Sequence, residues 1–154
     1  MIKYVESKVV FEEIPDKLTL AVTISGCPFS CKNCHSDYLQ TDCGEELTTD
    51  AIDELLTTNN GVNCFLFLGD GQDREGICKL AEHIKNTYPN ISTAIYSGYD
   101  WMLDEYCKVF DYIKTGGYIE EMGDLTSPTT NQRLYKRNTE GVFEDVTFLF
   151  QKRF

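Results

Sequence analysis

The sequence predicts an α/β fold on a mostly parallel sheet, and three observations carry that prediction. Two apolar runs read as strands: Leu18 to Ile24 is rich in β-branched residues, and Cys64 to Leu68 has the composition of a strand buried on both faces. Two other stretches, Thr48 to Thr57 and Glu75 to Tyr88, repeat apolar residues at helical spacing. The two patterns alternate along the chain, as right-handed βαβ units require.

Taken in order, Val9 to Ile14 reads as a short strand closed by Pro15, and Leu18 to Ile24 as a second, rich in β-branched residues. Three cysteines follow it directly. Thr48 to Thr57 places Ala51, Ile52, Leu55 and Leu56 on one helical face, and Asn59-Asn60-Gly61 stops it. Cys64 to Leu68 is a buried strand ending at Gly69-Asp70-Gly71, and Glu75 to Tyr88 a helix through Ile77, Leu80, Ala81 and Ile84. Ile91 to Tyr96 is the next strand, ending at Ser97-Gly98, with a short helix from Trp101 to Cys107 after it. Val109 to Lys114 adds a strand before Gly116-Gly117, a polar stretch follows, and Val146 to Phe150 is expected as the last strand. In parallel sheets ligands bind at the carboxyl ends of the strands, so the four intervening turns should form one edge.

With 154 residues, 42% hydrophobic and 25% charged, residues 1–154 read as one domain able to bury its own core. No apolar run is long enough to cross a membrane, and Met1 to Glu6 lacks the apolar stretch of a signal peptide, so a cytoplasmic protein is expected. A net charge of -11 disfavours nucleic acid as a partner. Seven cysteines in that setting point to reduced thiols and to metal or redox chemistry. Cys64, Cys78 and Cys107 sit within apolar patterns and read as core residues; Cys43, in a turn between Asp42 and Gly44, reads either as a surface thiol or as a neighbour of the three cysteines after Ile24.

Cys27, Cys31 and Cys34 stand apart in a CxxxCxxC spacing within Gly26-Cys27-Pro28-Phe29-Ser30-Cys31-Lys32-Asn33-Cys34-His35. Iron-sulfur clusters usually take four cysteine sulfurs. A compact set of three leaves one iron of a four-iron cluster open to a ligand. The same spacing also follows one face of a helix, where the cysteines would be core residues, and a structural zinc site is a further alternative. Gly26, Pro28, Ser30 and Asn33 write the segment as a loop rather than a packed helix.

On these residues the chain resembles the radical S-adenosylmethionine superfamily, and within it the activating enzymes of anaerobic ribonucleoside-triphosphate reductase. The resemblance runs through Ser25 to His35, Gly44 to Thr48, Gly69-Asp70, Tyr96 to Tyr99 and Ser127 to Tyr135. It implies a partial (βα) barrel with the cluster loop after the first barrel strand. It also implies a [4Fe-4S] cluster on Cys27, Cys31 and Cys34, with S-adenosylmethionine chelating the fourth iron. Reductive cleavage to a 5′-deoxyadenosyl radical would then generate a glycyl radical on the large subunit of the reductase, with flavodoxin or ferredoxin as electron donor. No catalytic residue beyond the cluster ligands is implied.

Further roles follow from the same resemblance. Gly69 and Asp70 stand where the superfamily has a Gly-Gly-Glu turn for the cosubstrate ammonium, with Leu68 in place of the first glycine. Asn33, Cys34 and His35 would border the adenine, Ser97 the ribose, and Lys114 the cosubstrate carboxylate. A turn cap at Ser97, a snorkelling Lys114 and a plain turn at Asp70 are the structural alternatives. His83 reads as structural. Activation of another glycyl-radical enzyme and a non-catalytic zinc-binding interaction module are the alternative functions.

Overall fold

The computed structural model describes residues 2–26 and 44–151. Among these, the strands are β1 (Lys3–Val10), β2 (Thr19–Ile24), β3 (Glu45–Glu46), β4 (Cys64–Leu68), β5 (Ser92–Tyr96), β6 (Tyr112–Thr115), β7 (Arg133–Arg137) and β8 (Phe143–Asp145). The helices are α1 (Thr49–Thr58), α2 (Arg74–Thr87) and α3 (Asp104–Val109). All described strands join one sheet in the order β3-β1-β2-β4-β5-β6-β7-β8.

The expected partial (βα) barrel with a mostly parallel sheet is corrected by this topology. The sheet is open and mixed, and antiparallel pairings outnumber parallel ones four to three. The three parallel pairings join β2, β4, β5 and β6 at the centre. Connection length explains the flanks. A parallel pair needs a crossover of a dozen or more residues, and β1 reaches β2 through a short turn containing Ile14 to Lys17, with Asp16 at φ 63°. The β7–β8 connection is shorter still, closed by Asn138 N–H donating to Val142 O at 2.8 Å. No helix forms between β6 and β7, because that stretch lacks an apolar helical repeat.

Side chains alternate across the sheet with the period of two that strands impose. Leu20, Val22, Ile24, Phe65, Phe67, Ile95 and Ile113 face the three helices and meet Ile52, Leu56, Ile77, Ile84 and Tyr106. Ala21, Cys64, Leu66, Ala94, Tyr112 and Leu134 face the other way, where Ile14, Val146 and Phe150 cover them. Thus the helices lie on one face only. Val146 to Phe150, expected as a strand, instead contains a 3-10 helix at Thr147–Phe150. Val146 N–H still donates to Leu134 O at 2.8 Å before the chain turns, and Thr147 Oγ1 accepts from Leu134 N–H at 2.8 Å.

Local caps fix the helices. Thr48 Oγ1 accepts from Ala51 N–H at 3.0 Å to open α1, and Asp73 Oδ1 accepts from Gly76 N–H at 2.9 Å to open α2. A Cβ at Gly76 would come within 2.4 Å of Asp73 Oδ2, so a side chain there would require the capping carboxylate to shift. Asp53 of α1 binds His83 Nε2 and the Tyr88 hydroxyl, each at 2.8 Å, which clamps α1 to α2 and gives His83 a structural place.

Candidate cluster domain and its ligand edge

The parallel strands β2, β4, β5 and β6 all end on the same edge of the sheet. Gly69-Asp70-Gly71, Ser97-Gly98 and Gly116-Gly117 follow β4, β5 and β6 there. The exits are laced together: Gly69 N–H donates to Tyr96 O at 3.1 Å, Ser97 N–H to Lys114 O at 2.8 Å, and Gly116 N–H bonds Tyr99 O at 2.6 Å.

In sequence, segment 27–43 falls between β2, which ends at this edge, and β3. Cys27, Cys31, Asn33, Cys34, His35 and Cys43 lie outside the described residues. Its two stems are anchored on the same strand. Ser25 N–H donates to Lys3 O at 3.1 Å on one side, while Glu45 and Glu46 pair with Tyr4 and Lys3 on the other. Gly44, at φ 96°, sits so close to β1 that a Cβ would fall 2.2 Å from Tyr4 O. Only glycine fits that approach. The β2 and β4 exits also touch: a Cβ on Gly71 would lie 3.1 Å from Ile24 Cγ2, and one on Gly26 would lie 3.5 Å from Gln72 Cγ.

Asp70, 1% exposed, has both oxygens engaged. Oδ1 accepts from Gly98 N–H at 2.7 Å; Oδ2 accepts from Ser97 Oγ–H at 2.8 Å and from the Tyr106 hydroxyl at 2.7 Å. The carboxylate therefore ties the β4 exit to the β5 exit and to α3. Ser97 Oγ in turn accepts from Tyr99 N–H at 3.1 Å, which caps the turn. Burial and the neighbouring Asp70 charge push the Tyr106 hydroxyl far above its ordinary range, so it remains a donor.

Lys114, 7% exposed, donates from Nζ to Ser97 O and Gly116 O at 2.9 Å each. Its ammonium also lies 5.4 Å from the centre of the Tyr96 ring. Gln132 Nε2 donates to Gly116 O at 3.2 Å, bringing β7's approach into the same cluster. The structure thus gathers Gly69, Asp70, Ser97 and Lys114 on one edge, as three linked turns.

Tyr106 escaped the sequence reading, and Gln132 entered it only as part of the Ser127 to Tyr135 stretch. A tyrosine on the apolar face of a short helix was the available signal, because a buried hydroxyl needs a partner.

The other cysteines do not join this edge as a group. Cys64 is fully buried, and burial pushes its thiol up to about 12. Cys78 is pushed up to about 11 by burial first, then by Glu105. Cys107 is also raised by burial. These are poor thiolates, and no described group of three or more His, Cys, Asp and Glu could hold a metal ion. No helix among the described residues is long and apolar enough to cross a membrane.

The cysteine motif of the sequence falls between Gly26 and Gly44, the described residues on either side of segment 27–43. The family described as a 4Fe-4S single cluster domain matches residues 18–136, from the start of β2 into β7, and the chain belongs to that family. No curated protein and no solved structure matches the chain.

Proposed function

We propose that Cys27, Cys31 and Cys34 hold the [4Fe-4S] cluster, and that the chain cleaves S-adenosylmethionine reductively to make a glycyl radical on anaerobic ribonucleoside-triphosphate reductase. The observation that carries this reading is that β2, whose end leads into the cysteine segment in sequence, ends on the same sheet edge as the Gly69, Ser97 and Lys114 turns. The donor set fits the group. Three cysteines closely spaced in sequence would supply three thiolates, while the described thiols, Cys64 buried and Cys78 and Cys107 half-buried, are all raised by burial. When bound, the cluster supplies the electron that splits the sulfonium into methionine and a 5′-deoxyadenosyl radical.

The chain's own residues shape and hold the place for that cosubstrate. Gly69, at φ 116°, brings backbone to the edge without a side chain in the way. Asp70 fixes the Ser97-Gly98 turn against the β4 exit, and Lys114 fixes that turn against the β6 exit. In this arrangement Asp70 serves as a positioning residue, because its carboxylate is 1% exposed and already accepts from three donors, so an ammonium reaches it only if a neighbouring group moves. Lys114 adds a buried positive charge suited to the cosubstrate carboxylate. Asn33, Cys34 and His35 border the adenine in this reading. A cytoplasmic setting with flavodoxin or ferredoxin as electron donor completes it.

The test is anaerobic incubation with reductant, S-adenosylmethionine and the large reductase subunit. 5′-Deoxyadenosine, methionine and a glycyl-radical EPR doublet should appear together, and Cys31→Ala should lose all three. Deoxyadenosine without the doublet would keep the cleavage and remove the reductase as target. No deoxyadenosine from iron-loaded protein would overturn the proposal.

A further inference from the structure

The turns after β5 and β6 enclose a cleft of about 490 Å3 on the same edge. Tyr99, Trp101 and Ile119 give it an apolar floor, with the Tyr99 and Trp101 rings 6.1 Å apart. Trp101 is 62% exposed and Ile119 41%, and Met122, 42% exposed, follows shortly in sequence. Single exposed apolar residues need no explanation, but a group of them around a cleft marks an interaction surface.

Among the described residues that line the cleft the charged ones are acidic, and the Arg74 guanidinium lies 5.5 Å from the centre of the Tyr99 ring. Asp100, Glu120 and Glu121 line it, and no lysine, arginine or histidine does so among the described residues. Asn131 donates from Nδ2 to Gly117 O at 3.0 Å, while its Oδ1 is enclosed without a hydrogen-bond partner. That oxygen is closed off from the cleft, so recognition falls to the acidic lining and the aromatic floor. Phosphates and acidic peptides meet repulsion here; lysine, arginine and backbone amides meet attraction.

Position narrows the occupant further. The cleft opens two to three strands from the β2 exit, about 10–14 Å at ordinary strand spacing. A nucleoside-sized cosubstrate on the Gly69 and Ser97 turns would fill that interval. We infer that the cleft docks a positively charged polypeptide segment of the protein on which the site acts, with apolar side chains against Tyr99 and Trp101 and cationic ones against Asp100 and Glu121. The inference rests on the proposed radical chemistry for the role of the segment. The open, aromatic-floored shape suits a length of chain rather than a small cation, which needs an enclosing site.

Trp101 is the chain's single tryptophan, so its emission reports on the cleft alone. The cluster-loaded protein is titrated with a short amidated peptide of lysine and leucine around a central glycine, and with its counterpart carrying glutamate for lysine. The lysine peptide should shift Trp101 emission to the blue saturably, less so at raised salt, and the glutamate peptide should not. Asp100→Lys with Glu121→Lys should weaken lysine-peptide binding by about tenfold or more, as the reversal of two close charges commands. The shape-keeping pair Asp100→Asn and Glu121→Gln should weaken it in the same direction. Equal responses to both peptides, or unchanged affinity in both variant pairs, would overturn the inference. S-adenosylmethionine cleavage without lysine-peptide docking overturns this inference alone; docking by a protein that does not cleave S-adenosylmethionine supports the cleft and removes the radical chemistry.

Discussion

Asp70 has three donors on two oxygens and almost no exposed surface, which separates two roles by experiment. Asp70→Asn puts an amide donor where a carboxylate oxygen accepted, opposing either Gly98 N–H or the two hydroxyls. As a positioning change it should weaken S-adenosylmethionine and an analogue lacking the amino group by the same factor, about tenfold for each. A loss confined to the amine-bearing ligand, read by equilibrium binding, would place Asp70 on the ammonium instead. The cysteines divide at the same scale. Cys27→Ala, Cys31→Ala and Cys34→Ala should each abolish iron loading, whereas Cys64→Ala should keep the iron and lower stability through its fully buried site. Iron analysis and thermal unfolding on the same samples check both halves. The sequence marked Gly69, Asp70, Ser97 and Lys114 correctly as neighbours, because each follows or ends a strand of the parallel core. It did not reveal that Asp70 and Lys114 bind the other turns, since those bonds depend on how adjacent strand exits meet.

At the level of elements, α2 depends on its opening turn. Asp73→Ala removes the bond to Gly76 N–H and should cost about 1 kcal/mol, lowering Tm by about 2–4 °C in a domain of this size. That bond holds the Asp73 carboxyl below its usual range. The Asp53 carboxyl is also lowered, first by His83 and then by the Tyr88 hydroxyl. A carboxyl depressed on folding stabilises the fold above its unfolded value, and that contribution disappears as pH falls through the folded value. Acid unfolding monitored by circular dichroism should therefore show a shallower loss below pH about 4 in the Asp53→Asn, Asp73→Asn double variant than in the parent. An identical acid profile would contradict the assignment.

The apolar runs of β2 and β4 were legible because burial on both faces leaves no polar alternation. β7 was not, since Leu134 alone among its residues is buried and charges occupy much of the rest. Strand pattern also carries no direction. The three residues between Ile14 and Leu18 were too few for a crossover, and that length was the available sign of antiparallel pairing.

For the molecule as a whole, the singly wound order of β2, β4, β5 and β6 puts every parallel exit on one edge and the helices on one face. Local βαβ grammar is the same in a barrel and in this open sheet, so the residue pattern favoured neither, and the expectation of a partial barrel came from the resemblance. What prevents it is the pairing of β1 and β3 beside β2 and of β7 and β8 beside β6, which caps the parallel core with antiparallel strands. The edge survives that change intact. The family match fixes a 4Fe-4S domain over residues 18–136, and the central claim is that its cluster keeps one iron for S-adenosylmethionine. The direct measurement is the EPR spectrum of the anaerobically reconstituted, reduced protein before and after S-adenosylmethionine is added. A four-iron signal that changes on addition, in the parent but not in Cys31→Ala, is the predicted result. A four-iron signal indifferent to S-adenosylmethionine would contradict the claim.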